Sequence, residues 1–318
     1  MRTTTAGFSV TATLRIANVP GTFLRIVQEI AKRDGSLSEV HLVYGDFNYL
    51  IREVTVNCRS EEHSREIIGG LRELEGIELV EWQDDTFAIH EGGKLEIVSR
   101  IEIDTTDDLS RAYTPGVARV CSAIEQDKSK AYSYTIKGNT VAVVTDGSAV
   151  LGLGDIGPEA ALPVMEGKSI LFKQFAGIDS FPICLATQDT EEIIQVIKAI
   201  APGLGGINLE DISAPRCFEI ENRLRAELDI PVFHDDQHGT AIVVLAGLLN
   251  ALKIIQKPLE SLKVVVNGFG AGGVACTRML YAAGIRNIIP CDSAGAVYRG
   301  RTERMNSVKE AVIEATNP

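Results

Sequence analysis

The chain has 318 residues, a formal net charge of −12 and six cysteines, and 45% of its residues are hydrophobic. This length predicts two or three domains, and a negative charge spread along the chain argues against nucleic acid and anionic membranes as partners. The cysteines form no C-x-x-C pair, and we find neither an apolar span of about 18 residues nor a signal peptide. We therefore expect a reduced cytoplasmic protein without a membrane segment.

Residues 1–90 have the pattern of a small, separate domain. Apolar and polar residues alternate from Phe8 to Ile16, which predicts a half-buried strand. Apolar residues at helical spacing follow through Ala31. The remaining pattern predicts a second helix and three further strands, at residues 37–44, 49–56 and 77–82. The order β-α-β-β-α-β is that of the ferredoxin-like fold.

The main body follows a polar linker that runs from Asp84 to about Lys94. A continuous apolar run from Thr140 to Thr145 predicts a strand buried on both faces, as in a parallel sheet. The glycine-rich loop 146–157 comes directly after it. Ligands of open parallel sheets bind just beyond the carboxyl ends of strands, so this loop is a candidate part of a site in an α/β fold.

Two acidic pairs, Glu210-Asp211 and Asp235-Asp236, each follow a short run with the pattern of a buried strand. Packing does not require carboxylates at strand ends, whereas Mg²⁺ and Mn²⁺ are held by oxygen ligands and keep open positions for water and substrate. The two pairs therefore predict a divalent-metal site. Lys168 has two interpretations: a surface ammonium with a packed stem, or a desolvated base near the metal with a lowered pKa.

A second motif predicts a dinucleotide-binding fold. A strand at residues 262–267 leads into the G-x-G-x-x-G sequence formed by Gly268, Gly270 and Gly273. A helix and a further strand follow, as in a βαβ unit. The glycines allow a tight turn and a close approach of the backbone to a pyrophosphate.

Asp292 ends that further strand, 24 residues after Gly268 (292 − 268). A carboxylate about 20 residues after the first glycine binds the ribose 2′-hydroxyl of NAD. Asp292 therefore favours NAD over NADP, because a carboxylate would repel a 2′-phosphate. Arg299 and Arg301 lie just beyond it and weaken this argument.

Several motifs, in this order across residues 95–318, resemble the bacterial small-subunit malic enzymes. They are Tyr113-Thr114-Pro115-Gly116-Val117-Ala118, Val144-Thr145-Asp146-Gly147, Leu151-Gly152-Leu153-Gly154-Asp155-Ile156-Gly157, Glu166-Gly167-Lys168, Leu209-Glu210-Asp211 and Phe233-His234-Asp235-Asp236-Gln237-His238-Gly239-Thr240-Ala241. The resemblance implies a malic-enzyme N-terminal α/β domain with a parallel sheet, followed by a Rossmann NAD-binding domain.

The resemblance also implies a reaction, the oxidative decarboxylation of L-malate to pyruvate and CO₂ with reduction of NAD. It assigns the metal, Mg²⁺ or Mn²⁺, to Glu210, Asp211 and Asp236. The metal would bind the C2 oxygen and the C1 carboxylate of malate and act as a Lewis acid.

The same resemblance gives roles to the neighbouring side chains. Lys168 would remove the C2 hydroxyl proton, and Tyr113 would protonate C3 of the enolate that remains when CO₂ departs. Asp235 would orient Lys168 or a metal-bound water. We interpret His234 and His238 as packing or hydrogen-bonding residues, because the metal is hard and its other inferred ligands are oxygens.

The first domain, with the turn 18–21 after its first strand, resembles an ACT domain. ACT domains are regulatory modules that often bind amino acids or other small metabolites, and many such folds only pair with a second copy. We expect either a small-molecule effector or pairing alone, since a fold does not assign a ligand. A homodimer or a higher homo-oligomer is expected in either case.

The sequence thus divides into an ACT-like regulatory domain (1–90), a catalytic substrate and metal domain (95–250) and a partial Rossmann domain (251–318). Because the sequence stops at Asn317-Pro318 after one βαβ unit and a helix, we expect a fragment truncated within the NAD-binding domain. Apolar residues of its strands should then be under-packed on one side: Val264, Val266, Ile288 and Ile289.

Two alternatives stay open. An amino-acid dehydrogenase shares a similar two-domain plan, but the acidic pairs argue against it because hydride removal from an amino acid needs no metal. The other alternative is a non-catalytic regulatory or binding fragment.

One departure from the resemblance also matters: Ala149 stands where larger eukaryotic members carry an arginine after Thr-Asp-Gly. How the charge of the substrate carboxylate or the nicotinamide is neutralised is therefore open.

Overall fold

The structure is a computed structural model that describes residues 3–150, 152–314 and 316. The chain divides into two compact units, Met1–Lys94 and Leu95–Pro318, and each has its own hydrophobic core. Leu151 of the glycine-rich loop and the terminal pair Asn317-Pro318 lie outside the described residues.

The first unit is a four-stranded antiparallel sheet with two long helices. Its elements are β1 (Thr5–Ala17), α1 (Thr22–Lys32), β2 (Ser36–Gly45), β3 (Tyr49–Cys58), α2 (Glu61–Arg72), β4 (Ile77–Asp84) and α3 (Asp85–Ala88). The strand order is β2-β3-β1-β4, and every neighbouring pair is antiparallel. Up to β4, this is the β-α-β-β-α-β order that the sequence pattern predicts.

One face of this sheet forms the core of the first unit. In β1 every second residue from Val10 to Ile16 is buried, as the alternating pattern requires. These side chains belong to one cluster with apolar residues of both helices: Ile26, Ile30, Ile67, Ile68 and Leu71. Thr11, Thr13 and Arg15 alternate with these residues on the opposite face, which leaves that face more polar.

The second unit begins with short helices and continues with alternating strands and helices. Its elements are α4 (Thr106–Ala112), α5 (Val117–Gln126), α6 (Ala131–Tyr134), β5 (Thr140–Thr145), α7 (Pro158–Ala176), β6 (Asp179–Cys184), α8 (Thr190–Ile200), β7 (Gly206–Leu209), α9 (Arg216–Glu227), β8 (Val232–His234), α10 (Asp235–Ile255), β9 (Lys263–Asn267), α11 (Ala271–Ala282), β10 (Asn287–Asp292), β11 (Gly295–Ala296) and α12 (Ser307–Ile313). Short 3₁₀ turns lie at Lys128–Lys130, Ile136–Gly138, Ala201–Gly203 and Leu259–Ser261.

The main sheet of this unit has the strand order β6-β5-β7-β8, and all of its pairs are parallel. Strand β5 is buried along almost its whole length, and all four residues of β7 are buried. Apolar residues of α8 and α9 pack on these strands, among them Ile193, Ile197, Phe218 and Leu224. The carboxyl ends of β5, β7 and β8 therefore lie along one edge of the sheet.

A second, smaller sheet has the order β11-β10-β9, in which β9 and β10 are parallel. Ile288 of β10 is completely buried, whereas Val265 of β9 is 59% exposed. Val264 and Val266 are partly buried against the same apolar cluster as Ile288. The prediction of under-packing is therefore wrong for Ile288, because Leu280 and Ile285 beside α11 cover it.

Helix α10 corrects the expectation that the chain holds no long apolar span. It has 21 residues and a mean hydropathy of 1.7 over its most apolar window, so by length and composition alone it could cross a membrane. Core helices of soluble proteins can have the same length and hydropathy. Ala241 and Leu245 of α10 pack in clusters shared with α11 and β10, while Ile242, Val243 and Ile254 stay exposed.

Candidate functional site

Both acidic pairs lie at the carboxyl edge of the main sheet. Glu210 and Asp211 directly follow β7, and Asp235 and Asp236 are the first two residues of α10, directly after β8. Strands β7 and β8 are parallel neighbours, so their ends deliver the four carboxylates to the same place. This is the edge at which open parallel sheets bind ligands.

Three of these carboxylates form a compact cluster. Glu210, Asp211 and Asp236 each offer an oxygen within 4.8 Å of the other two. The backbone N–H of Asp211 donates to Asp236 Oδ2 at 2.8 Å, and Asn208 Nδ2 donates to Glu210 Oε2 at 2.8 Å. Asp211 Oδ2 is buried and has no hydrogen-bond partner among the described residues. An oxygen-only donor set with an unmet oxygen fits a hard divalent cation.

The electrostatics of the cluster also favour a cation. Burial raises the pKa of Glu210 to about 7; the Lys168 ammonium opposes this rise and the Asp236 charge adds to it. Burial, with the charge of Asp236, raises the pKa of Asp211 to about 6. Asp211 also has a left-handed backbone with φ of 54°. Such a conformation costs a non-glycine residue about 1–3 kcal/mol and is concentrated at functional sites.

Lys168 reaches this cluster from helix α7. One face of α7 is buried through Ala161, Met165 and Ser169, and Lys168 adjoins that face. Its Nζ donates to Asp235 Oδ2 at 2.6 Å and lies 3.2 Å from Glu210 Oε1. The side chain therefore packs inside the site, and the surface interpretation does not describe it.

The pKa of Lys168 reflects opposing effects. Burial alone lowers the pKa of the ammonium, but the hydrogen bond with Asp235 and the charge of Glu210 outweigh burial and raise it above its usual value. The two carboxylates therefore stabilise the ammonium form. The interpretation of Lys168 as a base with a lowered pKa concerns a lysine next to a bound metal, and it stays a prediction.

Gly239 gives Asp235 the space it needs in the first turn of α10. A Cβ added at Gly239 would lie 2.3 Å from Asp235 Oδ1, which is closer than atoms pack. Only a glycine lets the Asp235 carboxylate occupy this position and bond to Lys168. The need for a glycine in the His-Gly-Thr motif is therefore steric, and the sequence alone does not reveal it.

The two histidines lie beside the acidic pair in different surroundings. His234 is completely buried, burial lowers its pKa, and its Nε2 lies 3.8 Å from Asp236 Oδ2. His238 Nε2 lies 2.7 Å from Glu221 Oε1, and Gln237 Nε2 donates to Glu221 Oε2 at 3.1 Å. The buried Glu221 of α9 therefore ties down the first turn of α10, which presents Asp236.

Sequence reasoning missed Glu221 and a second buried charge, Arg216. The Arg216 guanidinium lies 3.0 Å from the fully buried carboxylate of Asp146 and donates to Ser148 Oγ at 3.0 Å. The backbone N–H of Ala149 donates to the carbonyl of Asp211 at 2.9 Å, so Arg216 fixes the loop that touches the cluster. The sequence offered one signal for Glu221, because a carboxylate among the apolar residues of α9 is unusual. We find no sequence signal that would have indicated Arg216.

Among the described residues, no contact links Tyr113 to the acidic cluster. It follows the last residue of α4 and is 67% exposed. Its backbone hydrogen bonds stay local, with Leu109 and Val117. Within one chain, Tyr113 is therefore separate from the pair formed by Lys168 and Asp235.

The glycine-rich dinucleotide motif lies between β9 and α11. Gly268 has a left-handed φ of 112°, and a Cβ at Gly273 would lie 1.9 Å from the carbonyl oxygen of Gly268. A Cβ at Gly270 would meet nothing within 4 Å, so the backbone there faces open space. These are the turn, packing and ligand-approach roles expected of the three glycines.

The same loop touches the acidic cluster. A Cβ added at Gly272 would lie 3.1 Å from the carbonyl oxygen of Asp236 and 3.5 Å from Thr240 Cγ2. The amino end of α11 thus packs directly against the first turn of α10. A dinucleotide bound at this loop would lie next to the carboxylates.

Asp292 ends β10, as the sequence indicates, but its charge is compensated. Its Oδ1 accepts from Arg301 Nη2 at 2.7 Å and from the backbone N–H of Ala294 at 2.9 Å. Its Oδ2 accepts from Lys309 Nζ at 2.8 Å. Lys309 and then Arg301 hold the pKa of Asp292 well below its usual range. The sequence alone does not reveal this pairing with Lys309 and Arg301.

Comparisons with known proteins identify the family of the chain. Residues 92–225 match the family model "Malic enzyme, N-terminal domain", and residues 237–298 match "Malic enzyme, NAD binding domain". The NAD-dependent malic enzyme of Geobacillus stearothermophilus is 56% identical over 313 residues, which are 98% of this chain and 65% of the relative. The NADP-dependent malic enzyme of Escherichia coli (strain K12) is 51% identical over 69% of this chain and 29% of the relative.

A solved structure shows the same architecture. The NAD-dependent malic enzyme of Thermotoga maritima superposes with a TM-score of 0.72 at 50% identity, over 74% of this chain and 63% of that one. The fold and the site thus define an α/β protein with a parallel sheet and a glycine-rich loop of the dinucleotide-binding type. More narrowly, the chain belongs to the malic enzyme family. It spans slightly less than two thirds of the length of the Geobacillus relative.

Proposed function

We propose that this chain forms the metal and substrate site of an enzyme that converts L-malate to pyruvate and CO₂ with reduction of NAD. The observation that supports this most strongly is one cluster: Glu210, Asp211 and Asp236 within 4.8 Å of one another, beside the pair Lys168–Asp235. The glycine-rich loop lies against the same turn of α10. A hard-metal donor set, a proton-transfer pair and a dinucleotide loop are the parts that this reaction needs.

In this proposal Glu210, Asp211 and Asp236 hold Mg²⁺ or Mn²⁺. A divalent cation supplies Lewis acidity, which polarises the C2 hydroxyl of malate and stabilises negative charge after CO₂ departs. A cation held by Glu210 would weaken the attraction of this carboxylate for the Lys168 ammonium. Lys168 would accept the C2 hydroxyl proton, while Asp235 keeps its Nζ in place.

The second proton transfer is assigned to Tyr113, which protonates C3 of the enolate. Its exposure of 67% means that another surface has to cover it for this role, since general acids work best when held against the reacting atom. We therefore assign Tyr113 from the family resemblance alone. The expected homodimer or higher homo-oligomer is part of the same proposal.

The proposed cofactor is NAD, bound at Gly268, Gly270 and Gly273 with Asp292 near the adenosine ribose. NAD accepts the hydride from C2 when it is bound. The amino end of α11 faces the open space beside Gly270, where the helix dipole and free N–H groups favour a pyrophosphate. Relatives named for NAD and for NADP match this chain at similar identity, so its own residues decide the preference.

We further propose that the first unit is a ferredoxin-like ACT domain that regulates the enzyme through a small metabolite or through pairing. Its β-α-β-β-α-β order and antiparallel sheet are compatible with that fold. The proposed boundaries are residues 1–90, 95–250 and 251–318, and the proposed compartment is the cytoplasm.

The test is an assay of the purified chain with L-malate, NAD and Mn²⁺, with NADH, pyruvate and CO₂ measured together. The proposal predicts equal amounts of all three products and complete loss of activity with a chelator. NADH formed without CO₂ would indicate a simple 2-hydroxy-acid dehydrogenase. Malate-dependent NADH that a chelator leaves unchanged would reject the proposal.

A further inference from the structure

Asn208 is a buried amide in an otherwise apolar part of the main sheet. It lies in β7 between Ile207 and Leu209, which both belong to the largest hydrophobic core of the second unit. Its neighbours on the adjacent strands are Val143 and Phe233. Packing favours apolar side chains in a parallel sheet that is covered on both faces, and burying a polar group is costly without a partner. The amide therefore indicates a role other than packing.

The hydrogen-bond partner of Asn208 is Glu210, a carboxylate of the acidic cluster. Side chains two positions apart lie on the same face of a strand, and Asn208 Nδ2 donates to Glu210 Oε2 at 2.8 Å. The Oδ1 atom of the same amide is buried and has no hydrogen-bond partner among the residues that the structure describes. An unmet buried oxygen lowers stability. The hydrogen bond donated to Glu210 is therefore the contact that explains an amide at this position.

The two oxygens of Glu210 have different neighbours. Oε2 accepts from the neutral amide of Asn208, whereas Oε1 lies 3.2 Å from the Lys168 ammonium. A cation at the cluster repels an ammonium but not a neutral amide, and the lysine stem is flexible enough to withdraw. We therefore expect a cation to take Oε1 while Oε2 stays on Asn208.

A hydrogen bond also restrains Asp236, because its Oδ2 accepts from the backbone N–H of Asp211 at 2.8 Å. Glu210 and Asp236 thus cannot both turn two oxygens toward a cation without breaking a bond within the protein. Ca²⁺ takes about six to eight oxygens at about 2.3–2.6 Å, in part from bidentate carboxylates. Mg²⁺ needs near-octahedral geometry at about 2.0–2.1 Å and keeps several waters. Carboxylates that are held in this way suit the smaller ion.

We propose that Asn208 determines the metal specificity of the cluster. By holding Oε2 of Glu210 it opposes bidentate coordination by this carboxylate, and it thereby favours Mg²⁺ and Mn²⁺ over Ca²⁺. Asn208 acts through a metal ligand and is a positioning residue. The inference rests on the proposed metal site and adds the cause of its selectivity.

The experiment measures the relative affinity of the full chain for two ions. Mg²⁺ and Ca²⁺ are each titrated by calorimetry against the Mn²⁺-loaded protein, which gives the ratio of their dissociation constants. Asn208→Leu removes the donor at nearly constant volume. We expect this change to shift the ratio toward Ca²⁺ by about tenfold, the lower end of the effect of losing a partner of a metal ligand. A general loosening of the site would weaken both ions together and leave the ratio unchanged.

Gln237→Leu is the matched control. Gln237 is also a buried amide, and it donates to the buried carboxylate of Glu221 at 3.1 Å, but Glu221 lies outside the acidic cluster. This variant should keep the parent ratio. Asn208→Ala removes the same donor without any risk of overpacking and should shift the ratio in the same direction as Asn208→Leu. Circular dichroism checks the fold of each variant.

The outcomes separate this inference from the metal site on which it rests. If the parent binds the ions and Asn208→Leu keeps its ratio, or shifts it no more than Gln237→Leu does, the role in specificity is rejected and the metal site stands. If neither Asn208 variant folds, Asn208 is a structural residue and the inference is also rejected. If the folded parent binds none of the three ions, the proposed metal site and the inference fail together.

Discussion

The side chain of Lys168 is governed by opposing electrostatic effects at the scale of single residues. Burial lowers its pKa, and the neighbouring carboxylates Asp235 and Glu210 raise it by a larger amount. The result is an ammonium whose Nζ lies 3.2 Å from Glu210 Oε1. In the proposed site this ammonium would compete with a metal for Glu210, and a bound metal would favour release of the lysine proton.

Replacing Lys168 by methionine separates these two effects. Lys168→Met should reduce malate oxidation by about 10²–10⁴-fold, the usual contribution of a general base. It should also increase the affinity for Mn²⁺, because the competing ammonium next to Glu210 is gone. Steady-state kinetics and a calorimetric Mn²⁺ titration measure the two changes on the same protein.

Lys173→Met provides the matched control for Lys168→Met. Lys173 lies on the same helix, and its side chain is 62% exposed, in an ion pair with Asp179. Neither the rate nor the metal affinity should change in this control. If Lys168→Met weakened Mn²⁺ binding, the lysine would be a structural support for the cluster and not a competitor of the metal.

Asp292 gives a pH-dependent prediction. Lys309 and Arg301 lower the pKa of Asp292 in the folded chain below its unfolded value near 3.8. The ionised carboxylate therefore adds its full contribution to the unfolding free energy when the pH is above 3.8. This contribution is lost as the pH falls through the folded pKa. Asp292→Asn should therefore be less stable than the parent at about pH 7, and the difference should shrink at about pH 3.

Urea unfolding followed by circular dichroism measures this difference at both pH values. The only tryptophan, Trp82, lies in the first unit, and its fluorescence transition serves as an internal control that the change leaves unaffected. A stability difference that stayed constant between the two pH values would mean that the ion pairs of Asp292 do not contribute through their charge.

At this scale the sequence predicted the acidic residues but not their partners. Glu210, Asp211 and Asp236 could be found because carboxylates at strand ends break an apolar pattern. Arg216 and Glu221 could not be paired with Asp146 and His238, since side-chain partners distant in sequence meet only after the strands are ordered. The two interpretations of Lys168 could not be separated for the same reason.

Helix α10 is the element that joins the two halves of the site. Its first turn presents Asp235 and Asp236, Glu221 of α9 holds that turn, and the nucleotide loop packs on it at Gly272. The predicted domain boundary at residue 250 falls inside this helix, which runs from Asp235 to Ile255. One helix therefore couples the position of the proposed metal ligands to that of the dinucleotide loop.

Two glycines of α10 allow a matched test of this role. Gly239→Ala places a methyl group 2.3 Å from Asp235 Oδ1, whereas a Cβ at Gly247 meets nothing within 4 Å. We expect Gly247→Ala to stabilise the protein by about 0.5–1 kcal/mol, as alanine does in a helix interior. Gly239→Ala should lack this gain and reduce kcat/KM for malate at least about tenfold, because Asp235 is displaced from Lys168.

Thermal unfolding and malate kinetics of the two variants check this prediction. Equal stabilisation by both substitutions, with normal turnover in Gly239→Ala, would show that the contact between Asp235 and Lys168 tolerates the added methyl group. The first turn of α10 would then not control the geometry of the site.

The strands were more predictable than this helix. Residues 140–145 form a strand with the predicted bounds, because a continuous apolar run of six residues between turn signals has few alternatives. The pattern of α10 was harder to interpret, since its acidic start suggested a site and its apolar remainder was not recognised as one long helix. The periodicity of the sequence does not reveal that the acidic turn and the apolar segment belong to one helix.

The whole chain consists of two units, and one of them holds the proposed chemistry. Residues 95–318 contain the acidic cluster, Lys168 and the nucleotide loop, and the two malic enzyme family models match within residues 92–298. The first unit contributes a separate core and a β-α-β-β-α-β fold. The sequence motifs were sufficient to predict the family, because they combine residues from several strand ends in a fixed order.

The central claim is that Glu210, Asp211 and Asp236 hold a divalent metal that binds L-malate. Calorimetric titration of Mn²⁺ with and without L-malate, on the parent chain, Asp236→Asn and the exposed control Asp229→Asn, tests it most directly. We predict one tight Mn²⁺ per parent chain, tighter still with malate, and a loss of more than about 100-fold in Asp236→Asn, beyond the effect of an outer-shell partner. Asp229→Asn should match the parent. Equal Mn²⁺ affinity in the parent and in Asp236→Asn, or no effect of malate, would contradict the claim.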